Sequence, residues 1–211
     1  MKYKAVIFDL DGVICSTDQS HYLAWKMLAE EIGIDFDEKD NHRLRGIGRM
    51  ESLEILLGSR SEEFSEEEKI AMAERKNTRY RMLLQQLSPR DINPGVKSTM
   101  ELIKARGIKI AIGSSSKNTR LILKQLGLEN YFDAVSDGTN ITRPKPDPEV
   151  FLKASEYLGI EPQFCLVVED AKSGVEAAMA ANMDCAAIGD ATRYGLATYN
   201  LSLIEDLLLY V

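Results

Sequence analysis

Two carboxylates close the first apolar run of the chain: in Phe8-Asp9-Leu10-Asp11-Gly12 they stand two residues apart, and the glycine turns the backbone immediately afterwards. Asp-x-Asp-Gly by itself also fits a calcium loop or a helix-capping turn. The calcium loop fails, because with Gly12 at its sixth position Ile7 would stand at the first ligand position and Asp18, not Glu, at the twelfth. Three further elements end or follow apolar runs. Ser114-Ser115-Ser116-Lys117-Asn118 is a hydroxyl-rich turn opening a helix, where backbone N–H groups and the helix dipole favour a phosphate. Arg143-Pro144-Lys145-Pro146-Asp147 holds a lysine between two prolines, which suits a fixed positive charge. Glu169-Asp170 ends the run Val167-Val168, with Gly174 one turn into the next helix.

These residues need a scaffold that brings strand ends together. Short β-branched runs at Ala5–Phe8, Ile108–Ile112, Cys165–Val168 and Cys185–Ile188 alternate with segments of helical period, the rhythm of a parallel sheet with crossover helices. Helices are predicted over Gly95–Arg106, Lys117–Leu126, from Asp147-Pro148 to about Gly159, and from about Ala171 to Asn182. Leu203–Leu209 reads as a short helix or a capping strand. Residues 16–87 break the rhythm. Tyr22, Trp25, Leu28, Ala29 and Ile32 form one apolar helical face ending at Gly33, and Ser65-x-x-Glu68 is a capping box for a long helix reaching about Leu84. An all-helical segment is therefore expected to be inserted after the first strand, above the face where open α/β sheets bind ligands.

Acid pair, hydroxyl turn, lysine and second acid pair, in that order, resemble the four signature motifs of the haloacid dehalogenase superfamily, and the resemblance spans essentially the whole chain. It implies an α/β fold with a Rossmann-like parallel-sheet core over 1–15 and 88–211 and a helical cap domain over 16–87. It further implies phosphoryl transfer, with Asp9 as nucleophile and Asp11 as the acid and base serving the leaving and incoming oxygens. One magnesium ion per subunit would be held by Asp9, the Asp11 carbonyl, Glu169 and Asp170. Lys145 would offset the crowded charge, while Ser114 and the Ser115 amide hold a phosphoryl oxygen. A dehalogenase has no leaving alkoxide to protonate, so Asp11 favours phosphoryl chemistry.

Within the superfamily the inserted segment is most similar to the β-phosphoglucomutases, through Thr17, His21, Ala24, Trp25, Gly46, Arg49, Ser52 and Arg75-Lys76-Asn77, continued in the core by Ser116-Lys117-Asn118. The resemblance implies interconversion of β-D-glucose 1-phosphate and glucose 6-phosphate through glucose 1,6-bisphosphate. Arg49 would clamp the distal phosphate; Lys76, Asn118, Gly46, Ser52 and Ser116 would contact substrate; His21 would orient Asp11 and Trp25 would shape the sugar pocket, although plain core packing accounts for Trp25 equally well. Arg45, Gly48, Ala171 and the stretch after Gly189 depart from the family pattern, which loosens the sugar assignment more than the chemistry.

Composition sets the outer limits. With 45% hydrophobic residues among 211, a real core is expected, and the net charge of −7 argues against wrapping nucleic acid or lying on an anionic membrane. The three cysteines, Cys15, Cys165 and Cys185, form no metal or disulfide pattern, and no signal-peptide or membrane-spanning run is seen, so a cytoplasmic protein is expected; separately, a monomer is expected. Two other functions stay open at this point: a sugar-phosphate phosphatase, and a silent phosphosugar-binding protein, against which the presence of both Asp9 and Asp11 counts.

Overall fold

β1 (Ala5–Phe8) is apolar at all four positions and buried at all four, the condition of a parallel strand covered on both faces. The computed structural model describes residues 2–44 and 47–211. Around β1 lie β2 (Lys109–Gly113), β3 (Ala134–Ser136), β4 (Cys165–Glu169), β5 (Asp184–Ala187) and β6 (Tyr199–Asn200), in the parallel order β3-β2-β1-β4-β5-β6. The chain thus winds outward from β1 in one direction through β2 and β3, then returns to the other side of β1 for β4, β5 and β6. The switch in direction falls at β1, and a crevice at the carboxyl end of such a switch is where open α/β sheets place ligands. Register makes that end level: Phe8 faces Ile112 on one side and Val168 on the other.

Contacts divide the chain into two compact units, Met1–Ser16 with Ser88–Val211, and Thr17–Leu87. The smaller unit is helical: α1 (Asp18–Glu31), α2 (Glu38–Arg43), α3 (Arg49–Leu57) and α4 (Glu66–Leu84). Its core gathers Trp25, Leu28, Leu53, Leu56, Leu57 and Met72. Ser65 starts α4 as expected, its hydroxyl accepting the Glu68 N–H while the Glu68 carboxylate accepts the Ser65 N–H. In the larger unit α5 (Val96–Ala105), α6 (Thr119–Gln125), α7 (Glu149–Leu158) and α8 (Lys172–Ala180) accompany the sheet. Phe151 of α7 is fully buried against Gly113, where an added Cβ would lie 2.7 Å from its ring.

Several boundaries differ from the sequence expectation, each for a local reason. α6 begins at Thr119 rather than Lys117, because the Ser116 hydroxyl takes the Asn118 N–H and holds residues 116–118 in a turn. α7 begins at Glu149, one residue later than a first-turn Pro148 requires; the Asp147 carboxylate still accepts the Glu149 N–H. Of the two alternatives for the last segment the helix is the one found: Ile204–Leu209 is a 3-10 helix, and Asp206 accepts the N–H groups of Ser202 and Leu203 at its start. Among the described residues, no helix is long and apolar enough to cross a membrane.

Candidate active site

The sheet register determines which carboxylates meet. The Asp9 N–H donates to the Val168 carbonyl at 2.9 Å, and Glu169 is the last residue of β4, so both acids leave neighbouring strands at one level. Asp9 is 7% exposed and Glu169 1%. With Asp170, they offer carboxylate oxygens that all lie within 4.8 Å of one another. Lys145 reaches in from the loop before α7 and donates to Asp9 Oδ1 at 2.5 Å and to Glu169 Oε1 at 2.5 Å, its ammonium 4.7 Å from the centre of the Phe151 ring. The Lys145–Pro146 peptide is cis.

Electrostatics in this cluster are unbalanced. Burial opposes the Lys145 charge, but the adjacent Asp9 and Glu169 carboxylates outweigh it and its pKa is raised. Burial raises Glu169 to about 7 against the pull of Lys145, with Asp9 adding to the rise. Burial likewise lifts Asp170 to about 8, reinforced by the charges of Glu169, Asp9 and Asp11. Three crowded carboxylates beside a single ammonium would be relieved by a hard divalent cation, and an all-oxygen donor set of this kind fits magnesium. Two glycines make the crowding sterically feasible. A Cβ on Gly174 would fall 1.8 Å from Glu169 Oε1, and one on Gly12, whose φ is +94°, would fall 2.0 Å from Asp170 Oδ2.

The serine turn sits beside this cluster in the sheet. Ser114 is buried, and its N–H donates to the Ser136 carbonyl at 3.1 Å. Its hydroxyl accepts the Ser116 N–H at 3.2 Å, a closed turn rather than an open row of hydroxyls. The Ser115 hydroxyl accepts the Lys145 N–H at 3.1 Å and so ties the turn to the lysine loop. The Ser115 and Ser116 hydroxyls thus accept main-chain N–H groups and shape the turn, while the Ser115 N–H is the group the sequence reading assigns to a phosphoryl oxygen. Gly138 packs on the same turn, where an added Cβ would lie 2.4 Å from the Ser115 carbonyl oxygen.

In the helical unit two of the expected residues, His21 and Trp25, lie against Lys76, which is 3% exposed. Its ammonium lies 2.8 Å from His21 Nδ1, 4.6 Å from the Trp25 ring centre and 4.8 Å from that of Tyr80. The Tyr80 ring lies tilted against the His21 ring with centres 4.1 Å apart, and its hydroxyl is 2.9 Å from the Thr17 hydroxyl. Burial, then the charges of Lys76 and Arg49, push the His21 pKa well below its usual value. Trp25 is both a core residue and one wall of the Lys76 box. Arg49, the first residue of α3, donates from Nη1 to Glu74 Oε1 at 2.7 Å. Ser52 is buried, with its N–H on the Gly48 carbonyl, and Asn118 is buried at the start of α6. Gly46 and Arg45 lie outside the described residues.

Comparison with known proteins identifies the family. The family model of haloacid dehalogenase-like hydrolases matches residues 3–182. The chain belongs to the haloacid dehalogenase-like hydrolase family. It is 43% identical over 188 residues to a β-phosphoglucomutase of Bacillus subtilis, covering 88% of this chain and 83% of that protein. It is also 35% identical over 184 residues to a phosphorylated carbohydrates phosphatase of Thermotoga maritima, covering 86% and 82%. The crystal structure of a β-phosphoglucomutase from Clostridium difficile superposes with a TM-score of 0.90 at 41% identity, covering 97% of this chain and 93% of that one.

As a haloacid dehalogenase-like protein, the chain presents its acids and lysine on the sheet and a second cationic set, Arg49 and Lys76, in the helical unit. Tyr80 and Glu74 escaped the sequence reading. Tyr80 carried a findable signal, since it stands four residues after Lys76 on α4 and so on the same helix face. Glu74 carried none, because an acid on a helix rich in charges of both signs is ordinarily solvated.

Proposed function

We propose that the chain is a phosphosugar mutase that interconverts β-D-glucose 1-phosphate and glucose 6-phosphate through a phospho-Asp9 form and glucose 1,6-bisphosphate. In the first transfer an Asp9 carboxylate oxygen forms a bond to phosphorus while the bond from phosphorus to the sugar oxygen breaks. The electron pair goes to the sugar oxygen, which takes a proton from Asp11. In the second, Asp11 removes the proton of another sugar hydroxyl, whose oxygen takes the phosphoryl group from Asp9. Lys145 holds Asp9 in place and neutralises charge gathering on the phosphoryl oxygens, and Ser114 and the Ser115 N–H bind one of them. The Asp9, Glu169 and Asp170 carboxylates, with the Asp11 carbonyl, would hold a magnesium ion, which would supply further neutralisation of those oxygens.

The observation that carries the mutase reading is the buried Lys76 ammonium in its His21, Trp25 and Tyr80 box, with Arg49 nearby in the same unit. A mutase must hold a bisphosphate by one end while the other reacts, and so needs cations beyond those that serve phosphoryl transfer. The similarity to the Thermotoga maritima phosphatase supports a second reading, in which water takes the place of the sugar hydroxyl. One assay separates them: magnesium, β-glucose 1-phosphate and a trace of glucose 1,6-bisphosphate should give glucose 6-phosphate. Free phosphate with no glucose 6-phosphate establishes the phosphatase instead.

A further inference from the structure

Asn93 grips the turn that carries Asp11. It stands in the segment leading into α5 and hydrogen-bonds three successive carbonyls: its N–H donates to Ile14 O at 2.8 Å, and its Nδ2 donates to Val13 O at 2.9 Å and to Gly12 O at 3.2 Å. A carboxamide nitrogen has two N–H donors and can serve two carbonyls at once, which neither a carboxylate nor an aliphatic side chain can do. Within the turn, Gly12 N–H donates to Cys15 O at 2.7 Å and Ile14 N–H to Leu10 O at 3.0 Å. Asp11 sits between these two closures, bridged to Cys15, which in turn bridges Ile92, the neighbour of Asn93. Without the Asn93 side chain the Gly12 and Val13 carbonyls lose this donor, and the two peptides that flank Val13, next to the Asp11–Gly12 peptide, lose that restraint.

We propose that Asn93 is a positioning residue for Asp11, fixing the turn so that the Asp11 carboxyl stays aligned with the oxygen it protonates. This rests on the reading of Asp11 as acid and base. Asn93 touches no reacting atom, so its effect must appear only where proton delivery matters. That dependence gives the proposal its test. Glucose 1,6-bisphosphate phosphorylates Asp9 with departure of a sugar alkoxide, which needs the proton. Acetyl phosphate phosphorylates Asp9 with departure of acetate, which is stable unprotonated at neutral pH.

The measurement is the single-turnover rate of Asp9 phosphorylation by each donor, read by mass spectrometry on the intact chain, for wild type, Asn93→Ala, Asn93→Ser and Asp11→Asn. The ratio of the two rates does not depend on how much of a preparation is folded, so a destabilised variant still reports. In both Asn93 variants the ratio of bisphosphate to acetyl phosphate rates should fall about tenfold, in the direction of Asp11→Asn, since misaligned general acids forfeit part of a gain of about 10²–10⁴. If Asp11→Asn lowers the ratio and the Asn93 variants leave it within twofold of wild type, Asn93 is structural only and the proposal is overturned. If Asp11→Asn itself leaves the ratio unchanged, it is the acid role of Asp11 that fails.

Discussion

His21 Nδ1 faces the Lys76 ammonium at 2.8 Å, so the imidazole accepts from a cation and its remaining proton must lie on Nε2. A protonated His21 would put two positive charges in contact, in agreement with its strongly lowered pKa. The consequence for stability has a definite sign. The unfolded chain takes up this proton near pH 6.5 and the folded chain only well below it, so the His21 contribution is complete above pH 6.5 and is lost as pH falls toward the folded pKa. The slope is at most one proton, about 1.4 kcal/mol per pH unit. Glu169 and Asp170, raised to about 7 and 8, act oppositely and penalise folding as pH rises. The test is therefore the difference between wild type and His21→Gln in urea unfolding at pH 5.5 and 7.5. Wild type should lose stability relative to the variant at pH 5.5, and an unchanged difference refutes the neutral imidazole.

Asp170 predicts a trade of stability for metal binding. Its charge is penalised by burial and by Glu169, Asp9 and Asp11, so Asp170→Asn without metal should melt above wild type at pH 8.5. Added magnesium should reverse the order, because binding at ten times Kd stabilises wild type by about 1.4 kcal/mol, or about 3 °C or more for a chain of this size. The variant should gain far less. Thermal melts with magnesium and with excess chelator check both halves; a wild type indifferent to magnesium would remove the metal from this cluster.

Gly174 can be tested separately from the carboxylates. A Cβ there lands 1.8 Å from Glu169 Oε1, so Gly174→Ala must drive the Glu169 side chain out of its position between Lys145 and Asp170. Alanine is favoured over glycine inside a helix by about 1 kcal/mol, and that gain offsets part of the steric cost. The variant should stay folded while magnesium affinity falls by about tenfold or more, since displaced metal partners cost that much. Magnesium titration followed by thermal shift measures this, and unaltered affinity would show that Glu169 does not bind the metal.

The strand ends were legible because each joins an apolar run to polar residues of one chemical type: Phe8 to Asp9, Gly113 to Ser114, Val168 to Glu169. The pattern encodes both the burial and the exit from it. β3 and β6 were not legible, since Ala134–Ser136 and Tyr199–Asn200 are too short to show a period and exist because β2 and β5 offer them an edge. α2 was hidden for another reason: Glu38–Arg43 is polar throughout, and its start depends on Asp37 accepting the Lys39 and Asp40 N–H groups. Least visible were relations across sequence. Asn93 meets Gly12 and Val13, and Glu74 meets Arg49, with nothing in their neighbours to announce it, because such pairing arises from the fold and not from local preference.

Arg49 and Glu74 give the last prediction. The Arg49 guanidinium is partly buried and already paired with the exposed Glu74 carboxylate, so a distal phosphate must displace that carboxylate to be gripped. Arg49→Ala should lower conversion of β-glucose 1-phosphate to glucose 6-phosphate by about tenfold or more, because one lost charge-assisted contact is worth about 1.5–3 kcal/mol. It should leave hydrolysis of phospho-Asp9, which uses a single phosphate, nearly intact. Glu74→Gln should act in the opposite direction on binding alone, lowering the KM for glucose 1,6-bisphosphate by up to about fivefold, the limit set by an exposed ion pair of about 0.2–1 kcal/mol. Steady-state kinetics on both variants, with phospho-Asp9 decay followed in parallel, distinguishes the outcomes. Equal loss of isomerisation and hydrolysis in Arg49→Ala would make the arginine a structural partner of Glu74, and a raised KM in Glu74→Gln would mean that the carboxylate orients the guanidinium rather than competing for it.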